Sequence, residues 1–374
     1  MIRKIIIILL ITVSLFSFFK INEKNYEKHK EIKYNLVKHP ENLPNKEIAK
    51  ATSFGFENMK ADIYWLRTIQ YIGANAFHSE YKKYLFTILD LVTELNPFFE
   101  KPYTIGMLLL PGYEKNYEII TEKEQEIHTK QAELIGLKGI ENFCNKKIIQ
   151  KIDGEFDLLK IWNNKEFQNP CLSYNIPYYL AFVYYYYLND PISSAKYYKI
   201  ASANTDSIEG AKTMAAIMQG KGGNREKSFF MFLNIAHHIE PENEICSMFS
   251  KELENIGIGV FLNKNIKLDG NLISTIEKTR LEVFSGYEIE NLIEESKCPN
   301  YLNKAIRELN LEYIENANEI YYKKNNKNSI NAKKLYDEGF IEFLPTDFQK
   351  QKDYGVIYKF NEKTGNYDYE MGTY

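Results

Sequence analysis

A recurrence at 34 residues constrains this chain more than any other feature. Phe182, Ser194, Tyr198 and Ala201 return as Ala216, Ser228, Phe232 and Ile235, each pair 34 positions apart (228 minus 194, and likewise for the rest). That length holds two helices of about 15 residues and their turns, and such a hairpin cannot bury its apolar face alone. Stacked copies bury it for one another. Upstream, residues 55–73 place Met59, Ile63, Leu66, Ile69, Gln70 and Gly73 at three- and four-residue spacings, which predicts a helix with one apolar face. Residues 81–95 repeat the pattern with Leu85, Ile88, Leu89, Val92 and Leu95, and stop at Asn96 and Pro97. The two segments form a helical hairpin, so the expected fold class is all-α.

These positions resemble the tetratricopeptide (TPR) motif. That motif wants a small residue in the first helix, a small one twelve further on, an aromatic four beyond, a small one three later and a Pro after five more. Gly73, Leu85, Leu89, Val92 and Pro97 follow this frame. So do Phe182, Ser194, Tyr198, Ala201 and Asp206, then Ala216, Ser228, Phe232, Ile235 and Glu240, with Pro241 one place late. The chain departs from it where Phe182, Leu85, Val92 and Ile235 are large, where Leu89 is not aromatic and where Asp206 replaces Pro. Pro97 and Asp206 are 109 positions apart, room for degenerate helices such as residues 121–142. The resemblance covers roughly residues 55–245 and implies an α-solenoid; a non-repeat helical bundle is the alternative. In that packing the first helix of each repeat lines a concave groove. Tyr179, Val183, Tyr186 and Tyr187 fall at groove-facing offsets, as do Arg67, Gln70 and Phe77 in the earlier repeat. These seven are the candidate partner-binding residues, because tyrosine offers area and a hydroxyl at little entropic cost. The competing reading packs them between repeats.

Met1 to Lys4 carries Arg3 and Lys4, and fifteen uncharged residues follow, 5–19, opening with Ile5 and closing with Phe19 before Lys20. This is the charge and hydropathy pattern of an export signal. Bulky residues stand where signal peptidase wants small ones, which favours an uncleaved transmembrane anchor over residues 1–20. Fifteen helical residues rise about 22 Å against a hydrocarbon core of about 30 Å, so the bilayer must thin or flanking lysines must stretch. Lys20, Lys24, Lys28, Lys30 and Lys33 follow the run and oppose the simple charge rule. The short cationic start still favours a membrane-anchored chain with its body extracytoplasmic. Residues 21–50, polar and with Pro40 and Pro44, read as a linker.

Beyond the repeat-like residues 51–245, segments 272–284 and 302–322 within 246–330 predict further helices. Residues 331–374 differ in kind. Val356, Tyr358 and Phe360 alternate, Asn361 to Gly365 form a Gly-closed loop, and Tyr367 and Tyr369 follow, which predicts a small β-hairpin. With Gly339 and Leu344-Pro345-Thr346-Asp347 ahead of it, this tail is similar to the endings of bacterial pseudopilins and some anchored TPR proteins, although it lacks their Pro and Trp-Gly after the Asp.

A net charge of −3, from 47 basic and 50 acidic residues, provides no basic field for a phosphate backbone, so nucleic acid is not an expected partner. The 29 Tyr and 23 Phe accompany abundant Ile, Lys and Asn, as AT-rich codons would produce. Cys144, Cys171, Cys246 and Cys298 include no CxxC pair. They read as buried free thiols or, if the body lies outside the cytoplasm, as supplying one disulfide such as Cys246 to Cys298. Adjacent His237 and His238 point about 100° apart on a helix and cannot easily share a metal. Gly220-Lys-Gly222-Gly223 lacks the Ser or Thr of a phosphate loop and reads as a turn within the repeat. Glu295-Ser296 is similar to the Glu-Ser of lytic transglycosylases, but the downstream segment of that family is missing. No catalytic residue, cofactor or metal is expected. The function that follows is a scaffold for a protein or peptide partner in envelope assembly, secretion or a pilus-like system, with no small-molecule substrate; an envelope glycan-cleaving enzyme and a structural spacer are the alternatives.

Overall fold

Helices dominate the residues described by the computed structural model, which are 11–23, 43–75, 81–112, 121–349 and 355–374, and two short antiparallel strands follow near the end. Residues 11–23 are helical and exposed, from Ile11 to Ile21 and including Phe16, Phe18 and Phe19. Residues 1–10 of the expected anchor and 24–42 of the expected linker lie outside the described residues. Among the described residues no helix is long and apolar enough to cross a membrane. The chain divides into two compact units, residues 1–135 and 136–374.

In the first unit the end of the expected linker is the helix α1 (Lys46–Ala51), started by Asn45, whose side chain accepts from the Ile48 N–H at 2.8 Å. Helices α2 (Glu57–Asn75) and α3 (Lys82–Leu95) form the expected hairpin. Leu85, Ile88, Leu89, Val92 and Leu95 are buried as their spacing predicts. For α2 the expected face is overturned. Met59, Ile63, Leu66 and Ile69 are 41–61% exposed, while Ala61, Tyr64, Thr68 and Tyr71 are buried. The helix is apolar on more than one side, and two tyrosine rings bury more surface than the aliphatic stripe would. Helix α4 (Glu100–Leu109) brings Gly106 against α3, where an added Cβ would lie 3.0 Å from Leu89 and 3.1 Å from Ile135. Helix α5 (Glu122–Phe143) opens on a capping box: the Glu124 N–H donates to Thr121 Oγ1 at 3.2 Å and the Thr121 N–H donates to Glu124 Oε2 at 3.0 Å.

The second unit contains the 34-residue recurrence. After α6 (Lys146–Asp153) and α7 (Leu158–Asn163) come α8 (Asn175–Tyr186), α9 (Pro191–Ser202), α10 (Glu209–Lys221) and α11 (Arg225–Ile239). The starts of α8 and α10 are 34 apart (209 minus 175), as are those of α9 and α11 (225 minus 191). Ser194 Oγ donates to the Ala181 carbonyl at 2.8 Å, and Ser228 Oγ to the Ala216 carbonyl at 2.9 Å, so a small hydroxyl ties each second helix to its first. Tyr198 and Phe232 are buried at matching places. The Gly220 to Gly223 stretch ends α10 and turns into α11, as expected, with Gly223 at φ 82.

Next come α12 (Glu244–Gly257), a single π turn (Ile258–Leu262), α13 (Gly270–Val283) and α14 (Ile289–Ile293). They pack around α15 (Cys298–Asn325), 28 residues long. Pro299 in its first turn and Asn326 at φ 53 after its last are ordinary start and stop signals. Helix α16 (Ala332–Asp337) precedes strands β1 (Gly355–Asn361) and β2 (Asn366–Gly372), paired antiparallel with Tyr358 opposite Tyr369 and Phe360 opposite Tyr367. This is the expected hairpin, with Tyr358 and Tyr367 buried against the helices.

The free-thiol expectation is overturned. Cys144 bonds Cys171 and Cys246 bonds Cys298. The first joins the end of α5 to the loop before α8, and the second joins the first turns of α12 and α15.

Candidate partner-docking groove

Helix α8, with the sequence NIPYYLAFVYYY, makes an aromatic terrace. Tyr178 meets Tyr179 edge-on at 5.5 Å and Tyr198 at 5.3 Å, and Phe182 packs at 4.4 Å from Tyr186 and 5.9 Å from Tyr187. Of the residues expected to face a groove, Val183 is fully buried and cannot contact a partner. It lies on the buried face of the helix with Ile176, Leu180, Ala181 and Tyr184. Tyr179 and Tyr187 are half-buried, while Tyr186 is 56% exposed. Arg67 and Gln70 belong to the first unit. Arg67 is half-buried with its guanidinium 5.9 Å from the Tyr64 ring, and Gln70 is exposed. Phe77 lies outside the described residues.

The chain after α8 turns sharply, with Asn189 at φ 52 and Asp190 capping α9 by accepting from the Ser193 N–H at 2.9 Å. This turn forms one wall of a cleft of about 190 Å³ containing Tyr185, Tyr186, Asn189 and Lys221; Lys363, Thr364 and Asp368 of the hairpin form the other. Asn361, Lys363 and Asp368 also line a broader trough of about 1220 Å³ over the hairpin, which reaches Tyr322, Ile330 and Phe360. Tyr322 and Ile330 are exposed. Cleft and trough thus share these three hairpin residues. Burial alone would lower the Lys221 ammonium, but the ion pair with Asp368 raises it above the ordinary lysine value.

Two buried ionic networks hold the hairpin, and with it that wall. Arg225 donates to Glu308 at 3.1 Å, to both oxygens of Glu315 at 3.1 and 2.8 Å, and to the Tyr367 carbonyl. Glu315 accepts from the Tyr367 N–H at 2.9 Å, so one Arg–Glu pair satisfies both backbone groups of a β2 edge residue. Arg307 grips Asp347 bidentately at 2.6 and 2.7 Å and lies 3.6 Å from the Tyr369 ring centre. Asp347 also accepts from the Tyr358 hydroxyl at 3.0 Å. Burial pushes Glu308 above the usual carboxylate range against the pull of Arg225. For Asp347 burial acts the same way, but paired Arg307 wins and holds it below that range.

Sequence reasoning missed these charges. Asp347 was visible as the acid of the Leu-Pro-x-Asp tail, but its partner Arg307 stands 40 residues away within a segment read only as a helix. Elsewhere, His238 packs 5.1 Å from the Trp162 ring and lies 3.2 Å from Lys212 Nζ, and burial lowers it. Glu295 is exposed on the turn before α15. No family model matches the chain, and no curated protein or solved structure matches it significantly.

Proposed function

We propose that the chain is a membrane-anchored scaffold of tetratricopeptide type, its body outside the cytoplasm, that docks an extended protein segment along the groove around the C-terminal hairpin. The observation that carries the docking is Tyr186: on a helix whose other aromatics are packed, this ring stays in solvent at a cleft that shares hairpin residues with a broader trough. An amphipathic ring on a rigid element is a contact anchor that loses little entropy on binding. The 34-residue spacing of the helix starts and the equivalent serine bonds support the repeat reading. Two disulfides support an oxidising compartment. The exposed apolar helix at residues 11–23, continuing the uncharged run from Ile5, supports the tether.

The test is a pull-down with the full chain in detergent, followed by affinity measurement with the purified partner. Tyr186→Ala and Lys363→Glu are each expected to weaken binding about tenfold or more, roughly 1.4 kcal/mol, with unchanged melting temperature. Wild-type affinity in both variants would refute the groove.

A further inference from the structure

Lys304 is the odd member of the charged cluster beneath the hairpin. It is 8% exposed, on α15, and its ammonium lies 5.0 Å from the Tyr301 ring centre. The other three cations around it each have a carboxylate: Lys221 has Asp368, Arg225 has Glu308 and Glu315, and Arg307 has Asp347. Lys304 makes neither a hydrogen bond nor an ion pair among the described residues. It lines a cavity of about 10 Å³ between α10, α11, α15 and β2, together with Lys221, Arg225, Arg307, Glu308 and Asp368. That is room for one water-sized occupant. Burial pulls the Lys304 ammonium down to about 8, as expected for a charge without a counterion, and Arg307 adds to the effect while Glu295 opposes it.

The lining decides what fits. The ion pairs occupy both lining carboxylates, Glu308 with Arg225 and Asp368 with Lys221, and leave the Lys304 ammonium without an acceptor. Donors outnumber free acceptors, so an occupant that only accepts is favoured over water, which must also donate. The apolar part of the wall, Ile217, Phe232 and Leu311, leaves no space for a polyatomic ion. We propose that this cavity is a binding site for one monatomic anion, chloride, held by the Lys304 ammonium and the neighbouring guanidinium groups. The ion completes the electrostatic seam that fixes the hairpin to α15. Lys221 and Asp368 line both this cavity and the docking cleft, but chloride binding here does not require an occupant in the groove.

The test compares thermal unfolding of the full chain in sodium chloride and in sodium gluconate at equal ionic strength, gluconate being too large to enter. The chloride midpoint is expected about 2–4 °C higher. In Lys304→Met the two midpoints coincide; should that variant fail to fold, Lys304→Gln replaces it. Bromide-soaked crystals provide a measurement that needs no variant, an anomalous peak within contact of Lys304 Nζ. Equal midpoints in the wild type, or water density with no anomalous signal at that position, overturn the proposal.

Discussion

The ammonium of Lys199 is buried beneath residues 154–157, where it donates to the carbonyls of Asp153 at 3.1 Å and Glu155 at 2.6 Å. The Phe156 ring centre lies 4.3 Å from this ammonium and 4.0 Å from that of Lys227. Burial lowers Lys199 to about 8, Lys227 pushing the same way and Asp153 opposing. An unfolded lysine titrates near 10.4. Below about pH 8 both states are charged and the cost, on the order of 3 kcal/mol, is present in full. Between about 8 and 10.4 the unfolded chain binds more protons, so stability rises with pH. Buried tyrosines act oppositely. Burial raises Tyr198, Tyr358 and Tyr367, so the unfolded chain ionises first and stability falls above about pH 10. Urea midpoints in gluconate at pH 7, 9 and 11 should therefore pass through a maximum, and Lys199→Met should flatten the rise from 7 to 9. A monotonic fall from pH 7 would contradict this balance. At this scale the sequence separates little: the same groove offset selected Val183 and Tyr186, one in the core and one in solvent.

Elements were more legible than their faces. The bounds expected for the helices at 81–95, 121–142 and 302–322 fall within a few residues of α3, α5 and α15, because spacing and start signals are local. Which side of a helix is buried depends on partners distant in sequence. Helix α2 buries its tyrosine side, and α15 buries the polar Lys304, Arg307, Glu308 and Asn310. The partners of Glu308, Arg307 and Asn310, which are Arg225, Asp347 and Tyr358, come from elsewhere in the chain. Helix α10 depends on this arrangement at Gly220, where an added Cβ would lie 2.6 and 2.7 Å from the two carboxylate oxygens of Glu308. Glu308 is held by Arg225 and cannot retreat without breaking that pair. Gly220→Ala is thus expected to destabilise the chain by about 1–3 kcal/mol in urea unfolding, although alanine is the better helix former. A neutral or stabilising result would mean that α10 and α15 approach less closely.

For the molecule as a whole, the recurrence and the terminal hairpin were readable because each is a pattern along the chain, while disulfide pairing requires knowing which turns meet. The pairing has a thermodynamic consequence. Cys144–Cys171 spans 27 residues and Cys246–Cys298 spans 52. Loop-closure entropy assigns these about 3.5 and 4 kcal/mol of stabilisation through the unfolded chain. The two loops do not overlap, so their contributions should add, to about 7–8 kcal/mol. That sum is comparable with the whole stability of an ordinary domain, about 5–15 kcal/mol. The second unit, which contains both bonds, should lose most of its resistance to urea when reduced. Cys246→Ser/Cys298→Ser should cost slightly more than Cys144→Ser/Cys171→Ser, because the logarithm of loop length grows slowly. Urea melts with and without reductant, on the wild type and both double variants, measure each contribution. Losses below about 1 kcal/mol in both variants would show that the bonds do not constrain the unfolded chain, and would remove the disulfide support for placing the body in an oxidising compartment.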